Sequence, residues 1–108
     1  MANNYKCFFI SPIGEPGSPE RENSDLVMEE LLIPALVECG FNQDNIKRSD
    51  QLHDPNIHEE MNNRLENDEI CVADITGYNS NVMYELGYRH GLKKPIILLQ
   101  KKCNTTKN

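Results

Sequence analysis

The segment VADITGYNSNVMYELGYRHG, Val72–Gly91, decides how the rest of the chain is read. It begins as the apolar end of a strand, crosses the turn Thr76-Gly77-Tyr78-Asn79-Ser80-Asn81 and continues as a helix. Asn, Ser and Gly favour turn and N-cap conformations, so the helix is expected to start near Asn81 and end near Gly91. Met83, Leu86, Gly87 and His90 share one face of it, expected to pack on the sheet with Gly87 permitting close approach. Glu85 then lies about one turn inside the helix. There the macrodipole favours an anion by ~0.3–1 kcal/mol, and an ionised carboxylate is expected near neutral pH. Such a carboxylate suits a nucleophile or a stabiliser of positive charge, and a general acid poorly. Arg89 follows four residues later, so an exposed ion pair worth ~0.2–0.5 kcal/mol is the competing reading of the same spacing.

Working outward, the same strand-then-helix pattern recurs. Lys6 to Ser11 is a short apolar run of the kind a parallel sheet buries on both faces. Pro12 to Gly17 is too rich in Pro and Gly to be regular. Ser18-Pro19-Glu20 then supplies an N-cap, a first-turn proline and a first-turn acid. The helix this starts is expected to run to about Cys39, with Val27, Leu31, Leu32, Ala35, Leu36 and Cys39 as its buried stripe, a kink at Pro34 and a stop at Gly40. Asn45 to Arg48 reads as a polar edge strand. Asp54-Pro55 repeats the cap signal for a second helix through Ile57, Met61 and Leu65 to Asn67. Ile70 to Asp74 is a third strand, and Ile96 to Leu99 a fourth that should be buried. Lys101 to Asn108 is polar and expected to fray.

Alternating strands and helices define a parallel α/β domain, here expected to be a flavodoxin-like three-layer fold with strand order 2-1-3-4. Its switch point lies between the first and third strands. Ligands in such sheets bind beyond the carboxyl ends there. The loops that meet at that crevice, Ser11 to Gly17 and Asp74 to Asn81, hold the candidate binding residues Ser11, Pro12, Ile13, Gly14, Asp74, Tyr78, Asn79 and Asn81. Asp74 is equally read as a capping acid for the next turn. Tyr78, in the loop, is the tyrosine best placed to stack on a base; Tyr84 and Tyr88 are read as packing residues. His90 is read as a core or interface residue, and His53 and His58 as surface residues without metal-ligand spacing.

With 108 residues the chain is one domain, residues 1–108. It carries 17 Asp plus Glu against 11 Lys plus Arg, for a formal charge of −6. That balance argues against a nucleic-acid or membrane-surface role. No apolar run spans a membrane and no secretory leader is evident, so a cytoplasmic protein is expected. Cys7, Cys39, Cys71 and Cys103 form no Cys-x-x-Cys pair and are read as structural thiols. An acid after the third strand is also a feature of receiver domains, but those place acids after the first strand, where this chain has Ser11-Pro12-Ile13.

Two motifs carry a family resemblance. Phe8-Phe9-Ile10-Ser11-Pro12-Ile13-Gly14, with Ala73-Asp74-Ile75-Thr76-Gly77-Tyr78-Asn79-Ser80-Asn81-Val82-Met83-Tyr84-Glu85-Leu86-Gly87, resembles the TIR-like and nucleoside 2-deoxyribosyltransferase-like group from about Tyr5 to Leu99. The resemblance implies that Glu85 attacks or stabilises the anomeric carbon of a ribosyl unit as its base departs. In the deoxyribosyltransferases a second carboxylate six residues earlier holds the base; that position is Asn79 here, which cannot act as an acid. A further base-holding acid has Glu60 as its nearest counterpart. TIR-like enzymes use one glutamate to release nicotinamide, already a cationic leaving group, from NAD+. The expectation is therefore an NAD+ or nucleotide N-glycosidase, with NAD+ as substrate and no cofactor or metal. Nucleoside 2-deoxyribosyltransfer and a non-catalytic interaction module are the alternatives. Relatives continue past the fourth strand with another helix and strand. C-terminal truncation, homo-oligomerisation and a site completed by a partner are expected accordingly.

Overall fold

The computed structural model describes residues 4–52 and 55–102. Cys103, His53, Asp54 and the end of the polar tail, all read above, lie outside the described residues. Four strands, β1 (Cys7–Ile10), β2 (Ile46–Arg48), β3 (Ile70–Asp74) and β4 (Ile96–Leu99), form one parallel sheet in the order β2-β1-β3-β4. This is the flavodoxin-like arrangement expected from the sequence. Alternate residues of β1 feed opposite layers, as the pleat requires. Cys7 and Phe9 pack with Ile46, Val72, Met28, Leu32 and Leu36 on one face. Phe8 and Ile10 pack with Leu52, Leu65, Cys71, Ala73 and Val82 on the other.

The first face is covered by α1 (Pro19–Val27), a π-helical turn (Met28–Leu32) and α2 (Ile33–Glu38), where the sequence reading expected one kinked helix. Ser18 caps α1, its Oγ accepting from the Arg21 N–H at 3.2 Å. Pro34 explains the π turn, because its ring crowds the carbonyl four residues back and it has no N–H to offer. The chain widens just before it, and the Ile33 N–H reaches back five residues to the Met28 carbonyl. The wider turn has a packing consequence. Ser24, Met28, Leu32 and Leu36 are all buried, a four-residue repeat that a pure α-helix would rotate off the sheet by about 40° per step. Leu31, Ala35 and Cys39, expected in the stripe, are exposed instead. Gly40, at φ 103°, ends the helix, and the Phe41 N–H closes onto the Leu36 carbonyl at 2.9 Å.

The second face is covered by α3 (Ile57–Asn67) and α4 (Ser80–Gly91). The inward face of α4 differs from expectation. Val82 and Arg89 are buried and Glu85 and Leu86 half-buried, whereas Met83, Gly87 and His90 are exposed. The β4 expectation also changes. Ile96 and Leu99 pack against the two cores, but Ile97 and Leu98 are 45% and 52% exposed, because β4 is the sheet edge. Cys7 and Cys71 are buried, and burial pushes their thiols up to about 12 and about 11. Both are inert packing groups. No helix among the described residues is long and apolar enough to cross a membrane.

Candidate functional site

A crevice of about 500 Å³ opens beyond the carboxyl ends of β1 and β2 and beside α3 and α4. Ser11, Pro12, Ile13 and Gly14 form one wall with Ser49; Asn79, Asn81, Tyr84 and Glu85 form the opposite one. The topology therefore brings together six of the eight expected binding residues with the expected catalytic one. Asp74 and Tyr78 do not line it. The Asp74 carboxylate accepts from the Thr76 N–H at 3.0 Å and from Asn23 Nδ2 at 3.4 Å, which is the capping arrangement. Gly77 and Tyr78 are both left-handed, at φ 79° and 53°. That pair of residues swings the Tyr78 ring outward to 64% exposure, where its hydroxyl accepts from Gln100 Nε2 at 3.2 Å. Tyr84, read as a packing residue, is the tyrosine at the crevice.

The Ser11 wall is held from behind by a charged network. Ser11 Oγ lies 2.6 Å from Ser24 Oγ, which accepts from Arg48 Nη1 at 2.9 Å. Arg48, 5% exposed, also grips Asp25 at 2.8 Å and both oxygens of Asp50 at 2.5 and 2.9 Å. The Asp50 pair holds that carboxyl below its ordinary range. Arg21 donates to the carbonyls of Ile13 at 3.2 Å and Gly14 at 3.4 Å. Gly14 must be glycine: it sits at φ 64°, and an added Cβ would lie 2.5 Å from Ser18 Oγ.

On the other wall, Asn79 caps α4. Its Oδ1 accepts from the N–H groups of Asn81 at 2.9 Å and Val82 at 3.1 Å, leaving only its amide NH2 for a ligand. The helix starts at Ser80, which sets Glu85 beyond the first turn, where the macrodipole has largely decayed. Burial then dominates and pushes the Glu85 carboxyl up to about 7. The expectation of a carboxylate fully ionised at neutral pH is corrected on this ground. The Glu85–Arg89 surface pair is corrected too. Arg89 is fully buried and donates to the Pro95 carbonyl from Nε at 3.1 Å and Nη2 at 2.9 Å, and to the Leu65 carbonyl from Nη1 at 3.0 Å. Among the described residues no donor meets the Glu85 carboxylate, and burial is the one influence on it.

His58, Met61, Asn62 and Leu65 complete the crevice from α3. His58 was expected merely at the surface, and Asn62 carried no expectation. Their signal was spacing: positions 58, 61, 62 and 65 fall on one helical face. Glu60, the nearest counterpart of a base-holding acid, instead lines a shallow acidic groove with Glu59, Asn63 and Glu66. No group of acids, His and Cys able to hold a metal ion occurs among the described residues. In comparisons with known proteins, no family model matches the chain and no curated protein matches it.

Proposed function

We propose that this chain cleaves the N-glycosidic bond of a nucleotide or nucleoside whose base leaves from a cationic form, with NAD+ the first substrate to test, and that Glu85 carries the reaction. The observation behind this reading is the Glu85 carboxylate itself, half-buried in the crevice with no donor on it among the described residues. Such a group lacks a counter-charge, and a pyridinium ribosyl unit supplies one. Positive charge migrates from the ring to C1′ as the C1′–N bond breaks and its electron pair returns to the nitrogen. A carboxylate oxygen of Glu85 stabilises C1′ or bonds to it; water then takes C1′, loses a proton to solvent and frees the carboxylate. Ser11, Asn62 and Asn81 offer hydrogen bonds to sugar hydroxyls and a carboxamide. Release of free base from a panel of NAD+, nucleosides and nucleotides, compared with Glu85→Gln, tests the proposal. No release above that control removes it.

The pH profile separates this role from its rival. A nucleophile or charge stabiliser must be ionised, so kcat/KM is expected to rise with pH through about 7. It should then level off. In the complex the cationic substrate favours the charged carboxylate, so the kcat profile should rise at lower pH. The elevated Glu85 carboxyl is the observation favouring nucleoside 2-deoxyribosyltransfer, because a group near 7 also suits proton donation to a neutral purine. That role predicts rates that fall above pH 7 and exchange of base between a deoxynucleoside and a free base.

Self-association belongs to the same proposal. Among the described residues no strand pairs with the outer side of β4, and its half-exposed Ile97 and Leu98 are groups a second copy would cover. Sedimentation at assay concentration should show dimers or larger species, and a monomer at full activity would remove this part.

A further inference from the structure

We infer that the crevice discriminates against phosphate, and that its preferred ligand is an unphosphorylated pyridinium nucleoside rather than a mononucleotide or dinucleotide. This rests on the glycosidase reading and narrows its substrate class. The argument starts from what the walls offer. The described lining residues provide hydroxyls from Ser11, Ser49 and Tyr84, amides from Asn62, Asn79 and Asn81, and one carboxylate. Neither Lys nor Arg is among them, and His58 is the one basic side chain. Phosphate recognition ordinarily draws on Arg or Lys forks and on free N–H groups at helix starts.

Near the crevice the two arginines and the starts of α1 and α4 are largely committed, whereas the start of α3, where His58 lines the crevice, has no side-chain cap. Arg21 spends its Nε and Nη2 on the Ile13 and Gly14 carbonyls, and its Nη1 faces Asp50 at 3.9 Å. Arg48 is buried behind Ser24, bonded to Asp25 and Asp50. At the start of α1 the Arg21 N–H goes to Ser18 Oγ, the Glu22 N–H goes to the Ser18 carbonyl at 3.0 Å, and Glu20 and Glu22 add negative charge. At the start of α4 Asn79 takes the N–H groups of Asn81 and Val82. A phosphate entering the crevice thus meets arginines and α1 and α4 helix-start N–H groups largely in use, and among the described lining residues it finds neutral hydroxyls and amides and His58 in place of Lys or Arg.

The remaining charge acts in the same direction. The Glu85 carboxylate attracts a pyridinium and repels a phosphate, and water is partly excluded around it, so both effects are larger than in bulk solvent. The formal charge of −6 on the chain adds a longer-range term of the same sign. Neutral ribose hydroxyls have partners; among the described lining residues a 5′-phosphate finds neither Lys nor Arg.

The test compares kcat/KM for nicotinamide riboside, nicotinamide mononucleotide and NAD+ on the full chain. The expected order places the riboside at least about tenfold above the mononucleotide, with the gap narrowing in high salt because the discrimination is electrostatic. Glu85-dependent turnover in which the mononucleotide or NAD+ equals or exceeds the riboside overturns this inference and leaves the glycosidase reading intact. If neither these three nor the wider panel of nucleosides and nucleotides releases base above the Glu85→Gln control, the glycosidase reading falls instead. Equilibrium dialysis of the riboside and the mononucleotide against the unmodified protein then decides the selectivity: tighter binding of the riboside supports it, and equal binding, reversed order or no binding overturns it.

Discussion

Replacing Glu85 by Gln is expected to reduce base release by roughly three orders of magnitude or more while leaving the fold intact. Gln keeps the shape and removes the charge. At about 3.5 Å and an effective dielectric of about 20, a carboxylate attracts a full positive charge by roughly 5 kcal/mol, more than three decades in rate if that interaction exists mainly in the transition state. The same substitution should stabilise the protein above neutral pH. The Glu85 carboxyl titrates near 4.5 in an unfolded chain and at about 7 in the fold, so the folded state holds the extra proton between those values. Stability contributed by Glu85 is therefore complete below about pH 4.5 and is lost as pH rises through about 7. Gln does not titrate. Its melting temperature should exceed that of the parent at pH 8 and converge with it near pH 4. Activity down and stability up is a combination that misfolding cannot produce, and a destabilised Glu85→Gln protein at pH 8 would contradict the burial argument.

Replacing Arg89 by Ala is expected to have the largest effect on folding, about 3–5 kcal/mol. Arg89 is fully buried, and its three hydrogen bonds to the Pro95 and Leu65 carbonyls fasten α4 to the start of β4 and to α3. Truncation leaves a cavity, strips the Leu65 carbonyl of the Arg89 donor and leaves the Pro95 carbonyl with only the Cys71 N–H at 3.4 Å. Domains of this size hold about 5–15 kcal/mol in total, so a large fraction of the variant should be unfolded or insoluble. Arg89→Met fills the volume without restoring the donors and should recover only part of the loss. Urea midpoints read both effects, and an Ala variant that melts with the parent would sink the assignment.

Glu85 and Arg89 also explain where sequence reading went astray. Their neighbours Met83, Leu86, Gly87 and His90 form the more apolar stripe, so a reading by hydrophobicity turns α4 by about one residue, roughly 100°. The inward face holds Glu85, half-buried with no donor among the described residues, and Arg89, a three-donor strut. Local signals were dependable where the cause was local: Ser18-Pro19 started α1, Gly40 ended α2, and β3 covers Ile70–Asp74. The exposure of β4 was not legible from its four apolar residues, since burial of a strand is decided by what lies beside it. Asn79 and Asn81 could be placed at the crevice from chain order; the outward turn of Tyr78 needed the backbone of Gly77 and Tyr78. His58 and Asn62 belong to no motif in the sequence, and their role became visible when α3 was laid against the Ser11 loop.

The position of β1 has a kinetic consequence. Cys7 pairs with Ile46 on one side and Ile70 on the other, so the first of these four strands to be synthesised stands inside the sheet with both partners far downstream. Every central contact closes a long loop, which slows the search for the native topology relative to a helical domain of equal length. On the ribosome the run Phe8-Phe9-Ile10 must wait, apolar and unpaired, until β2 emerges, and remains open on its other side until β3 does. The crevice assembles late as well, because its Ser11 wall is anchored by the first strand and its Glu85 wall by a helix that follows the third.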